Sequence, residues 1–204
     1  MKRVLLSFAA ALFLVGCGSK MPLPRDLEAQ SMELTISGPP HALEAGPFVV
    51  RSFRDVSEKD ADTVLGPARA KADRTFAFEL AHRGGAVREV ACRAYRRTTT
   101  ATGVTAESAA LACVIGTAGG NTMGQLTLAD ANSGTLRLGA DTFLVGPGEG
   151  HSGTLVRRGE TSVAAWQYTT PRTAWIASSA DDELQASLVS AMAAAVAYRD
   201  YLDK

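Results

Sequence analysis

Between Ala186 and Tyr198 the only polar side chains are Ser187 and Ser190. Upstream, Ser178 and Ser179 precede Asp181, Asp182 and Glu183, which is capping-box spacing with acidic residues in the first helical turn. This predicts a helix over 180–202 that is apolar nearly all round instead of along one stripe. Such a helix must be buried or membrane-associated. Thirteen residues fall short of the roughly 20 that a bilayer requires. The rest of the chain therefore has to enclose this helix, or at least cover it.

What precedes the helix is strand-like. Short runs recur at 32–37, 48–53, 75–80, 87–95, 110–115, 125–129, 135–138, 142–145, 154–157, 162–168 and 173–177. Turn chemistry separates them. Arg83-Gly84-Gly85 connects the run Phe76, Phe78, Leu80 to the next strand, and Asn132-Ser133-Gly134 joins Leu126 and Leu128 to Leu136 and Leu138. Strands that follow one another without intervening helices indicate an antiparallel meander, sandwich or barrel. The segment Val56 to Lys71 is polar and of mixed charge, which marks it as a long surface loop. The expected fold is mainly β: an antiparallel barrel or sandwich of about ten strands with one C-terminal apolar helix, forming a single domain over 31–204. This order of elements resembles the tubby-like architecture, in which a barrel of antiparallel strands encloses a terminal helix. The resemblance is one of order and hydropathy and carries over no binding motif. It implies a protein associated with membranes or lipid headgroups. An open sheet with the helix on one face is the competing arrangement.

Cys92 and Cys113 lie symmetrically about Thr102-Gly103. A hairpin turning there, with Ala101 and Val104 closing the turn, places the two cysteines opposite each other at a non-hydrogen-bonded site, where a disulfide is permitted. The same register sets Val90 against Ile115 and Ala94 against Leu111. These residues make one apolar face, with Glu89 and Arg93 pointing away. The expected role of the cystine is a staple. A redox pair would have C-x-x-C spacing.

The chain begins with Lys2 and Arg3, then an apolar stretch from Val4 to Val15, then Leu14-Val15-Gly16-Cys17. This is secretory signal anatomy, and the last four residues resemble the lipobox of bacterial lipoproteins. The resemblance implies a signal peptide over 1–16, acylation of Cys17 (the diacylglycerol and palmitate type of anchor), and a spacer over 17–30 containing Pro22 and Pro24. Gly18 in place of Asp implies the outer membrane, facing the periplasm, where a Cys92–Cys113 disulfide persists. Two or more acyl chains hold a protein firmly on a bilayer. Removal of Lys2 and Arg3 leaves 19 basic against 21 acidic side chains, a net charge of −2. There is thus no electrostatic footprint for nucleic acid.

Motifs that could carry chemistry lack their context. Gly148-Glu149-Gly150-His151-Ser152-Gly153 spells G-x-G-x-x-G, but a dinucleotide site needs a helix to follow, whereas Thr154-Leu155-Val156 starts a strand. The same stretch misses the G-x-S-x-G nucleophile elbow, because Thr154 stands where the second glycine belongs. His41, His82 and His151 are isolated and offer no metal spacing. Asp55, Glu58, Asp60 and Asp62 suggest a calcium loop until Val64 and Leu65 occupy two of its required positions. Arg96, Arg97, Arg157 and Arg158 could form an anion-binding patch. No catalytic residue, metal or cofactor is expected. The expected function is a membrane-anchored, non-catalytic envelope lipoprotein with a structural, assembly or binding role and envelope proteins as partners. The alternatives are a carrier or sensor of a lipid or small hydrophobic ligand and, further off, an envelope hydrolase.

Overall fold

The computed structural model describes residues 20–57, 62, 72–82, 87–101, 104–117, 119–130, 132–151 and 153–203. Twelve strands are present among them: β1 Ser31–Ser37, β2 Glu44–Ala45, β3 Phe48–Asp55, β4 Arg74–His82, β5 Val87–Ala101, β6 Val104–Thr117, β7 Thr122–Leu128, β8 Gly134–Leu138, β9 Asp141–Pro147, β10 Gly153–Arg158, β11 Thr161–Gln167 and β12 Thr173–Ala177. Every strand pairs with its neighbour in sequence, and β12 closes on β1. The competing sandwich and open sheet are thereby replaced by a closed antiparallel barrel. Each of the eleven expected runs is a strand. The additional one, β2, has only two residues and bridges β1 to β3.

The barrel encloses helix α2, Asp182–Leu202, whose residues Ala186 to Tyr198 are all buried. Twelve strands about 4.8 Å apart and tilted by roughly 40° close to a cylinder of radius about 12 Å. A helix of about 10–12 Å diameter and the inward side chains fill that space. Ala186, Ala191, Ala193, Ala194, Ala195 and Ala197 keep the helix slender. Its two buried hydroxyls are satisfied within the helix, with Ser187 donating to the Glu183 carbonyl and Ser190 to that of Ala186, both at 2.8 Å. Asp181 is the N-cap, its carboxylate accepting the Leu184 N–H at 2.8 Å. We call the barrel rim at Asp181 the cap end and the opposite rim, reached by Leu202, the tail end.

Period-two alternation sends Phe76, Phe78, Leu126, Leu128, Leu136, Phe143 and Val156 into one core with Leu188, Val189, Met192 and Tyr198 of α2. The β5–β6 register runs from Arg88↔Thr117 to Ala101↔Val104 and includes Cys92↔Cys113, Val90↔Ile115 and Ala94↔Leu111. The two cysteines form a disulfide across the pair, with Cα atoms 4.1 Å apart. Phe76↔Cys92 and Phe78↔Val90 put the β4 aromatics on the same face. The turns at Thr102-Gly103 and Arg83-Gly84-Gly85 lie outside the described residues. Beyond Ala94 and Leu111, where the β4 and β7 registers stop, β5 and β6 continue paired with each other past the tail end.

The apolar outer positions of β10, β11 and β12 have a different cause. Leu155, Ala165 and Trp175 point away from α2, yet they are buried in a second cluster with Met21 and Leu27. What covers them is the segment expected to be a free spacer. Residues 21–30 instead lie down the outer wall and contain helix α1, Arg25–Ala29.

Candidate functional site

The barrel interior is the first place to look for a ligand site, and it is occupied. Trp166, Ile176, Leu188 and Met192 border about 160 Å³ of residual space between α2 and the β11–β12 wall, with no room for a water molecule. At the tail end the polar groups bind one another. The Tyr168 hydroxyl takes the Trp166 indole N–H at 3.0 Å and lies 2.9 Å from the Thr154 hydroxyl, while the Arg199 guanidinium sits 4.4 Å from the Tyr168 ring centroid. Burial pushes the Tyr168 phenol up. The Tyr198 hydroxyl is buried with no hydrogen-bond partner among the described residues, and burial pushes its pKa up to about 12.

The most built feature of the outer surface is the seat of the N-terminal strap. Met21 is 4% exposed. Its N–H donates to Gln167 Oε1 at 2.6 Å, and Gln167, 1% exposed, is itself fixed by donating to the carbonyls of Pro171 (2.6 Å) and Thr169 (3.2 Å). The Met21 thioether occupies a notch between Gly148 and Gly153. A Cβ at these positions would stand 2.3 and 2.7 Å from Sδ, so a side chain at either would collide with the sulfur. The first and last glycines of the G-x-G-x-x-G stretch thus serve a packing purpose. The loop joins strand β9 to strand β10, as the missing helix implied.

Further down the wall, Asp26 Oδ2 accepts the Ser162 N–H at 2.8 Å, and Oδ1 accepts the Leu27 N–H at 3.0 Å. Chiefly through the Ser162 bond, the Asp26 carboxyl is held below its ordinary range. Lys20 bonds both carboxylate oxygens of Glu33 at 2.8 Å, and the Trp175 indole N–H adds a 3.3 Å bond to the same group. The Lys20 hydrogen bond, followed by its charge, holds Glu33 low. Sequence reasoning missed this site. The only trace was an apolar Met21-Pro22-Leu23 beside a polar stretch.

Elsewhere the outer wall has a groove of about 450 Å³ floored by Ala77, Ala91, Val114 and Gly116, with Arg54, Glu79 and Glu89 at its edge. Glu79 and Glu89 are cross-strand neighbours, a like-charge pairing that opposes sheet stability, and Arg51 flanks Glu79 on the other side. The three histidines are dispersed. His41 lies in a short 3-10 turn, His82 packs on Phe48 with ring centroids 4.8 Å apart, and His151 lies in the β9–β10 loop. No cluster of His, Cys, Asp or Glu suited to a metal occurs among the described residues. In the suspected calcium loop, Asp55 pairs with Arg74 at 2.9 Å and Asp62 with Arg93. Glu58, Asp60, Val64 and Leu65 lie outside the described residues.

Among the described residues the arginines form no single patch, and the side chain of Arg97 lies outside them. Arg158 binds Asp141 at 2.7 Å at the cap end, whereas Arg96 donates to the Leu202 carbonyl at the tail end. Arg93, which points away from the apolar face, is 4% exposed under its ion pair with Asp62. Arg88 faces inward at the cap end, 3.8 Å from Glu183, with no partner for its Nε among the described residues. Cys17 lies outside the described residues. No helix among the described residues is long and apolar enough to cross a membrane.

These features define a helix-filled antiparallel barrel with a strap clasped to its outer wall. No family model, curated protein or solved structure matches the chain.

Proposed function

We propose that this protein is a lipid-anchored, non-catalytic lipoprotein of the cell envelope, held at the outer membrane through Cys17 and facing the periplasm, where its barrel serves structure, assembly or binding to envelope proteins. The observation that carries the reading is the clasped strap. A chain pulled from its N-terminus would transmit the load to Met21, and there the backbone is hydrogen-bonded to a buried glutamine and the side chain is locked between two glycines. The Cys92–Cys113 disulfide suits an oxidising compartment. The carrier alternative needs an interior cavity, and α2 fills the interior with its own side chains.

The test is metabolic labelling with a fatty acid. The native chain should incorporate label and mature to a shorter form, and Cys17→Ala should do neither. Continued labelling of Cys17→Ala would refute anchoring at this residue.

A further inference from the structure

We infer that the barrel is seated directly on a lipid surface by its strap, with the β9–β10 loop and the adjoining β10–β12 wall next to the headgroups. The inference rests on the lipid-anchor reading of Cys17. A lipoprotein with a flexible spacer over 17–30 would float its domain tens of ångströms from the bilayer, free to tumble. Here the spacer is used up. From Met21 onward the chain is fixed to the barrel through Met21, Leu27 and Asp26. Only the four steps from Cys17 to Met21 are left, and a fully extended chain covers about 14 Å in that number of residues.

That reach is shorter than the barrel itself. Its radius is about 12 Å by the strand spacing, so the opposite wall stands about 24 Å away. The cap-end terminus of β10 lies about 17 Å from its tail-end terminus along the strand. The acylated residue therefore cannot pass round the molecule, and the point where Met21 is held becomes the point of contact. Glu149, exposed in the β9–β10 loop directly after Gly148, lies beside the seat. Glu89, exposed at the start of β5, is on the opposite wall and at the opposite rim. The surface is suited to lying on a membrane and not in one. Leu144 is the sole large apolar side chain exposed among the described residues, whereas a membrane-spanning barrel carries an apolar band about 25 Å tall.

The experiment uses the lipidated full-length protein, with a fluorophore on a cysteine introduced as Glu149→Cys or Glu89→Cys, in phosphatidylethanolamine–phosphatidylglycerol vesicles containing spin-labelled headgroups. Quenching at position 149 should exceed that at 89 several-fold. Inserting about twenty Gly/Ser residues between Ser19 and Lys20 should abolish the difference while the protein still floats with the vesicles. Gly148→Ala, which displaces Met21 from its notch, should reduce it in part. Equal quenching at both positions in protein shown to carry fatty acid would overturn the seating while leaving the anchor intact. So would a difference that survives the insertion. A chain that takes up no fatty acid at all overturns the anchor, and the seating with it.

Discussion

Replacing Met192 by Asp probes the enclosed helix most directly. Met192 is 1% exposed and faces Trp166 and Ile176 across the narrow space beside α2. Loss of the buried thioether side chain costs about 2 kcal/mol. An unpartnered carboxyl in such surroundings is driven toward its neutral form, with a pKa raised by 3 units or more. At neutral pH, 3 units correspond to roughly 4 kcal/mol. Burying even the neutral acid without a hydrogen bond adds about 1–3 kcal/mol. The total, about 7–9 kcal/mol, rivals the whole stability of a typical domain. The sign of the pH dependence is diagnostic. A carboxyl raised in the folded state contributes its stability below the unfolded pKa near 4 and loses it as pH rises toward the folded value, so the variant should be several kcal/mol more stable at pH 4 than at pH 7. Met192→Leu, nearly volume-conserving, should cost less than about 1.5 kcal/mol. Urea unfolding followed by tryptophan fluorescence measures all three. An unchanged midpoint for Met192→Asp, or a midpoint indifferent to pH, would show that the helix does not form the barrel core.

Cys92→Ser with Cys113→Ser should lower stability by about 3 kcal/mol on the chain-entropy model for a separation of 21 residues, and native protein should show no alkylatable thiol at these positions until reduced. Tyr198→Phe removes a buried hydroxyl that has no partner among the described residues and should leave thermal stability unchanged or raise it by about 1 kcal/mol; a clear loss would mean that the hydroxyl is bonded. Asp26 should anchor the strap above the ordinary carboxylate range and lose its grip as pH falls below about 3.8, because its folded pKa is depressed. Hydrogen-exchange protection at residues 25–29, measured against the intrinsic rate at each pH, should therefore fall in acid in the native protein, and Asp26→Asn should remove that pH dependence.

The inner half of this molecule was legible because it obeys local rules. Strands of five or more residues alternating in polarity, a hairpin symmetric about Thr102-Gly103 and an apolar helix with an acidic first turn each announce themselves within a short window. What escaped depends on distant partners. Glu44–Ala45 is too short to show a period. The burial of the outer positions Leu155, Ala165 and Trp175 left no separate mark, since a strand covered on both faces gives a continuous apolar run and does not say by what. Their cover, Met21 to Gln30, has the prolines and charges of a linker, and its docking is fixed by Gln167, 146 residues away from Met21. Arg93 points away from the apolar face as the register requires, but its burial beside Asp62, 31 residues away in the chain, left no local pattern. The choice between sandwich and barrel turned on one pairing, β1 with β12, which involves the two most separated strands in the chain.

That seam has a bearing on how the molecule comes into being. Eleven of the twelve strand pairings join neighbours in sequence and can form as soon as both strands are free to fold. The closing contacts cannot, for Glu33 and Trp175 are 142 residues apart and α2 follows later still. Until the last twenty or so residues arrive, the growing sheet is an open trough lined with Phe76, Phe78, Leu126, Leu136 and Phe143 and lacking the helix that should fill it. Loop-closure entropy makes such distant pairings slow, and an unfilled trough with two free edges invites association with other chains. The long final helix is thus a timing element as well as a core. A chain stopped before Asp182 is expected to expose its whole interior at once.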